Sequence, residues 1–274
     1  MERISDLFIE HFGMEAGDPL RFPDPEPAFL EGFSLSAAQG KEGSYRSLFC
    51  GPLWLGGPAA RQRFVRALRS LLASYRLRMK IPREGPVLVC GIGSEGAAAD
   101  ALGPKTASRI LVTDRIMRDA GLPSVCAFRP GIPRETGIST AGLVRAAAKE
   151  TGAALVLTVD ALCAKSGERL GTVVQVTDCG LTPGSALGHS SEEISRETMP
   201  CPVLSVGVPT VVRASALPAD PGTGKEAPPA PPLFVTRADT EAMVSCYASL
   251  IASAVNGAFS GNLTDEDMFP ASRA

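Results

Sequence analysis

The chain has 274 residues, 45% hydrophobic and 20% charged, a globular balance with material for one large core or two small ones. A net charge of −2 excludes the strongly basic surface of a nucleic-acid-binding protein, so no direct nucleic-acid partner is expected. No apolar run approaches the roughly 18 residues that cross a bilayer, and the opening MERISDLFIEHFG has no apolar signal core, so neither a membrane partner nor a secretory signal is expected.

Residues 1–60 are rich in Pro, Gly and Phe with weak periodicity, and read as an irregular segment packed on the body. From Arg61 the pattern changes, and residues 61–260 read as one α/β domain. Phe64, Val65, Leu68, Leu71, Leu72 and Tyr75 recur at helical spacing. The basic residues between Arg61 and Lys80 alternate with them, as on a solvated helix face. Pro86–Gly91 reads as a buried strand, followed by the glycine-rich turn GIGSEGAAAD and a helix over about 103–120. Ser124–Phe128 is a short strand, and Thr140–Thr151 a helix that Thr140 can cap. Ala154–Val159, Thr172–Thr177 and part of Cys201–Val208 are further apolar strands. Such runs alternating with helices predict an α/β fold with a largely parallel central sheet covered on both faces. Residues 218–232 form a Pro-rich linker. Thr236 and Asp239 make a helix-start signal for a last helix over about 237–259, and residues 261–274 form a tail.

Seven cysteines, Cys50, Cys90, Cys126, Cys163, Cys179, Cys201 and Cys246, are scattered without a CxxC spacing. Most lie in or beside strand-like apolar runs, which suits free thiols in a reducing cytoplasm and gives no metal motif.

Asp160 follows the strand ALVLTV, and Asp100 ends the glycine-rich turn after PVLVCG. In an open parallel sheet, functional groups gather beyond the carboxyl ends of the strands. Two carboxylates facing one cleft cannot ionise independently, so one can donate a proton while the other accepts one. Such a pair can activate water against a peptide carbonyl. An aspartate after a strand also serves as a helix cap or turn former, and the pattern alone leaves both roles open.

Gly91, Gly93 and Gly96 spell GxGxxG, but no acidic residue closes a second strand some 20 positions on, which disfavours a dinucleotide site. His189 sits in GSALGHSSEE, where with Asp100 and Asp160 it could complete a metal site of mixed ligands. Ser185, Ser190 and Ser191 have no triad-like partners in the sequence.

Several segments in order resemble the germination (spore) protease family, atypical aspartic endopeptidases of spore-forming bacteria. They are GIGSEGAAADALGPK, RPGIPRETGIST, LVLTVDALCAKSGERLGTVVQVTDCGLTPGS, EEISRETMPCPVLSVGVPTVV and the C-terminal FVTRADTEAMVSCYASLIASAVNGAF. The resemblance covers about residues 85–215 and 234–259. Departures include Ala98-Ala99 where the family has threonine and proline, Lys165 in place of an arginine and Arg213 in place of an aspartate.

The resemblance implies Asp100 and Asp160 as the catalytic pair, with Gly93, Gly96, Lys165, Ser185 and His189 shaping or bordering the cleft, and Gly103 supporting the turn. It implies a three-layer α/β sandwich like that of hydrogenase maturation proteases, no cofactor and no metal. Implied substrates are the small acid-soluble proteins that coat spore DNA, cut after a Glu in the spore core by a homotetramer. It further implies a zymogen that removes its N-terminal segment. RISDLFIE resembles the family's processing site, which places that cut between Glu10 and His11 and a propeptide at residues 1–10. Two other readings stand beside this one. One is a metal-dependent maturation-type peptidase using Asp100, Asp160 and His189. The other is a non-catalytic relative that binds a spore protein.

Overall fold

The computed structural model describes residues 5–11, 32–39, 43–113, 123–184, 191–214 and 233–260. The elements in chain order are a helical turn α1 (Phe8–His11), β1 (Ser34–Gln39), β2 (Ser44–Phe49), α2 (Pro58–Arg78), β3 (Val87–Gly91), α3 (Leu102–Ala107) and β4 (Val125–Phe128). They continue with α4 (Pro133–Thr136), α5 (Thr140–Thr151), β5 (Leu155–Ala164), β6 (Val173–Thr177), β7 (Val203–Arg213), β8 (Phe234–Thr236) and α6 (Thr240–Phe259).

The strands form one mixed sheet in the order β1-β2-β6-β7-β5-β3-β4, with β8 also paired to β7. β4, β3, β5 and β7 run parallel, as the continuous apolar runs predict. β6, β2 and β1 add an antiparallel wing. The short connection between β1 and β2 makes an antiparallel pair the natural product there. Residues 34–49 therefore depart from the irregular chain predicted for the first 60 residues. Leu35, Leu48 and Phe49 are their few large apolar residues, a strand signal weak enough to be hidden by the Pro- and Gly-rich flanks.

Side chains alternate across the pleat, and helices cover both faces. Val87, Val89, Leu155, Leu157 and Val159 join α2 and α6 in the main core, which includes Phe64, Leu68, Tyr75 and Tyr247. Leu88, Cys90 and Val156 face the other way and pack against Ala141, Val144 and Ala148 of α5. This gives the three layers of an α/β sandwich. The apolar composition of α6 follows from its place in this core, where 12 of its 20 residues are buried.

Several predicted boundaries move. The helix expected over 103–120 is described only as the short α3, and residues 114–122 lie outside the described residues. Ser139 rather than Thr140 caps α5, accepting the N–H of Gly142 at 3.2 Å. At the start of α6 the Asp239 side chain makes no cap; it accepts from Trp54 and Arg237 instead. The linker at 218–232 and the tail at 261–274 lie outside the described residues.

One departure shapes the site. Asp160 does not end a strand. β5 pairs with β3 only through Val159 opposite Gly91, but continues beside β7 through Ala164, with a bulge between Leu162 and Cys163. The apolar run continues past the aspartate as ALCA, which lets the strand go on. Asp160 thus stands where β3 stops and one edge of β5 becomes free of it.

Candidate active site

Asp100 is carried toward the strand that holds Asp160 because two glycines let backbones touch. A Cβ on Gly103 would collide with the backbone of Ile92 and with the Val159 carbonyl, and one on Gly91 with the backbone of Gly103. The start of α3 is thereby pressed onto the carboxyl ends of β3 and β5, and Asp100, two residues before α3, is carried with it. Gly93 lies at φ +116°, and a Cβ there would collide with the Asp100 carbonyl oxygen. The turn can close onto Asp100 only with glycine at that position.

Asp100 ends a 3-10 turn, Ala98–Asp100, and its Oδ2 accepts the backbone N–H of Ser94 at 2.8 Å. Burial pushes its carboxyl up to about 6, with Glu135 adding to the rise and the Ser94 N–H opposing it. Asp160 is 9% exposed, and its Oδ1 accepts the N–H of Ala161 at 2.8 Å. Burial, then the Asp100 and Asp6 carboxylates, hold it well above the ordinary carboxylate range. Such a pair titrates as a unit and keeps a proton where isolated aspartates would have lost it.

The other predicted positions divide. The N–H of Gly96 donates to the Ser94 hydroxyl at 3.2 Å. With the Ser94 N–H committed to Asp100, two amides of the GxGxxG turn that a phosphate would need are already used, as the missing second-strand acid leads one to expect. Lys165 has an exposed side chain, and it is its backbone N–H that meets the site's surroundings, donating to Glu10 at 2.7 Å. Ser185 and His189 lie outside the described residues, as does the side chain of His11. Among the described residues no three His, Cys, Asp or Glu side chains converge to hold a metal. Cys163, on β5 beyond Asp160, has its thiol pushed up to about 11, chiefly by burial, and stays protonated at neutral pH.

Four residues of the site escape sequence reasoning. The Ser94 hydroxyl donates to Glu135, so one serine touches both acids. Asp6, from a distant part of the chain, has its Oδ2 on the Cys163 N–H at 2.9 Å, and its charge adds to the raised proton affinity of Asp160. Gln175 of β6 is buried and is spent on the backbone of the N-terminal segment. Ser94 sits in the glycine-rich turn, where its place could draw notice. Asp6, Glu135 and Gln175 carry no local pattern that marks them.

The family model for germination protease matches residues 34–222. A germination protease of Bacillus velezensis is 37% identical over 154 residues, 54% of this chain and 42% of that protein. The germination protease of Bacillus subtilis is 30% identical over 219 residues, 78% of this chain and 58% of that protein. The chain thus spans about half the length of the curated relatives it matches. Among solved structures, a nickel–iron hydrogenase maturation protease from Thermococcus kodakarensis aligns with 63% of this chain and 93% of its own, at 20% identity and a TM-score of 0.36. With a family match over more than half its length, the chain belongs to the germination protease family.

Proposed function

We propose that the chain is an endopeptidase in which Asp100 and Asp160 share the acid/base work on a water molecule. The observation that carries this reading is that Asp100, pressed onto the end of β3, and the nearly buried Asp160, standing in β5 just past that end, both have raised proton affinity, with the Asp100 charge adding to the rise at Asp160. Asp100, which ionises near pH 6, takes a proton from the water attacking the peptide carbonyl. Asp160, which holds its proton to higher pH, gives it to the leaving nitrogen. Exchange of one proton with solvent resets the pair. No side chain of the protein acts as nucleophile.

Family membership supports small acid-soluble spore proteins as substrates, the spore core as the place of action and a homotetramer as the working assembly. The test is incubation with such a spore protein and identification of the bonds cut. Cleavage by the parent, lost in Asp100→Asn and in Asp160→Asn, is expected. Parent-like turnover by either variant sinks the assignment.

The zymogen reading belongs to the same proposal. Residues 5–10 lie against the outer end of β5, where Asp6 pairs with the backbone of Cys163 and its charge adds to the raised proton affinity of Asp160. Glu10 sits at Lys165 and Ser166, five residues beyond Asp160, a backbone separation of roughly 15 Å along a strand. The segment in this position covers the catalytic end without offering the Glu10–His11 bond to the acids. Processing there requires the segment to leave its seat or to be cut by another copy.

A further inference from the structure

The turn that leads to Asp100 is built from residues with little stiffness of their own. Gly91, Gly93 and Gly96 lie close together along it, and the backbone approaches at Gly91 and Gly93 leave no room for a Cβ. Glycine gives the chain this reach and removes the steric limits that would fix its direction. Yet the Ser94 N–H is aimed at the Asp100 carboxylate at 2.8 Å. The aim has to come from outside the turn.

The chain after β4 can supply it. β3 and β4 are parallel neighbours, with Cys90 opposite Phe128, so the turn after β3 and the chain after β4 leave the sheet side by side. Two side-chain contacts join them, with the acid on opposite sides. The Ser94 hydroxyl of the turn donates to Glu135 of α4, and Arg129, the residue after β4, pairs with Glu95 of the turn. Both contacts fall on consecutive turn residues, and the first of these carries the N–H that meets Asp100.

The chain after β4 is well fastened. Thr140, buried at the start of α5, donates its hydroxyl to the Gly131 carbonyl at 3.2 Å. Thr136 donates to the Ile132 carbonyl at 3.1 Å and accepts the Ile138 N–H at 3.2 Å, and the Gly137 N–H reaches the Pro133 carbonyl at 2.8 Å. Residues 131–140 are thus tied to one another and to α5, whose Ala141, Val144 and Ala148 are in the core.

We propose that residues 129–135 staple the catalytic turn, and that Arg129 and Glu95 are positioning residues whose pairing, together with the Ser94–Glu135 contact, keeps the Ser94 N–H on Asp100. The proposal rests on the peptidase reading of Asp100 and Asp160 and adds what holds the first of them in its working orientation. An exposed ion pair adds little to the stability of a fold. This one needs only to bias the direction of a turn that glycine leaves undirected.

Charge and position make opposite demands, which a pair of substitutions separates. The charged groups around Asp100 are Glu135 of α4 and Asp160 of β5, with Glu95 and Arg129 on the exposed rim. Acting through charge alone, Glu95→Ala would lower the proton affinity of Asp100, Arg129→Ala would raise it, and the double variant would cancel the two. Acting through the staple, each change slackens the Ser94 N–H, which favours the ionised carboxylate, so both singles and the double raise the proton affinity alike.

The test follows the Asp100 carboxyl by NMR in the full chain labelled with carboxyl-13C aspartate, its signal identified by its loss in Asp100→Asn. Glu95→Ala, Arg129→Ala and the double variant are each expected to move its titration upward by about half a pH unit or more, the order for a weakened charged hydrogen bond. Denaturant midpoints should stay near the parent's. A Glu95→Ala titration that stays in place or moves downward, or a double variant that returns to the parent's value, overturns the staple. The peptidase reading fails separately: a parent that cleaves no spore protein removes that reading, while the titrations still decide the staple.

Discussion

The backbone N–H of Ser94 donates to the Asp100 carboxylate at 2.8 Å, and the hydroxyl of the same residue donates to Glu135. Two acids of unlike exposure are thus joined through one buried serine. The Glu135 charge favours the protonated form of Asp100, and the Ser94 N–H favours the ionised form.

This relation predicts a pH profile. If Asp100 is the base, kcat/KM rises as pH climbs through about 6, where Asp100 ionises. Glu135→Gln removes a negative neighbour and moves that limb to lower pH while leaving turnover at its plateau close to the parent's. A limb that stays in place in steady-state assays at several pH values would separate Glu135 from the chemistry.

Removing either acid should cost turnover, not folding. Asp100→Asn and Asp160→Asn are each expected to lower kcat by about 10²- to 10⁴-fold, the range for a positioned acid or base. Circular dichroism and gel filtration check that both variants keep the parent's fold.

The raised carboxyl also predicts a gain in stability. The folded chain holds the Asp100 proton until about pH 6, whereas an unfolded chain releases it near 3.8. The folded state therefore binds more protons, and this stabilising contribution is full below about pH 3.8 and lost as pH rises through 6. Asp100→Asn should be more stable than the parent at pH 8 by about 2 kcal/mol, after allowance for partial exposure, and no more stable at pH 3.5. Denaturant melts at the two pH values measure the difference.

The backbone contact that brings the acids together is open to a one-carbon test. Gly103→Ala would press a methyl group into the Ile92 and Val159 backbones, none of which can swing aside. A loss of roughly 2–4 kcal/mol is expected from strain of this kind, with turnover falling in whatever fraction still folds. A parent-like melting temperature would mean that α3 does not lie on the strand ends as described.

Mass spectrometry tests the N-terminal segment. The zymogen reading expects an inactive form that keeps residues 1–10 and an active form that begins at His11. Full activity with the first ten residues in place would refute it.

How far the sequence carried these conclusions depended on the kind of signal. PVLVCG and ALVLTV are continuous apolar runs, so β3 and β5 were legible as buried strands of a largely parallel sheet, though their pairing as neighbours was not. The β1–β2 hairpin was not, because Ser34–Phe49 mixes small polar residues with few large ones among breakers. The continuation of β5 past Asp160 was hidden as well, since a buried aspartate looks like a stop when its compensating partners are out of sight. Glu135 and Asp6 joined the site through folding alone, from 35 positions after and 94 positions before Asp100 in the chain.

The unequal lengths of β3 and β5 have a further consequence, for solubility. A bare stretch of strand edge invites a second strand from whatever is nearest, including another copy of the same molecule. While Ser5–Glu10 lies on Cys163 and Lys165 that invitation is closed. Once the segment leaves, the edge it covers and the apolar pocket of Leu7 are, among the described residues, open together. A form kept ready in this way stores well only while its own first residues stay home.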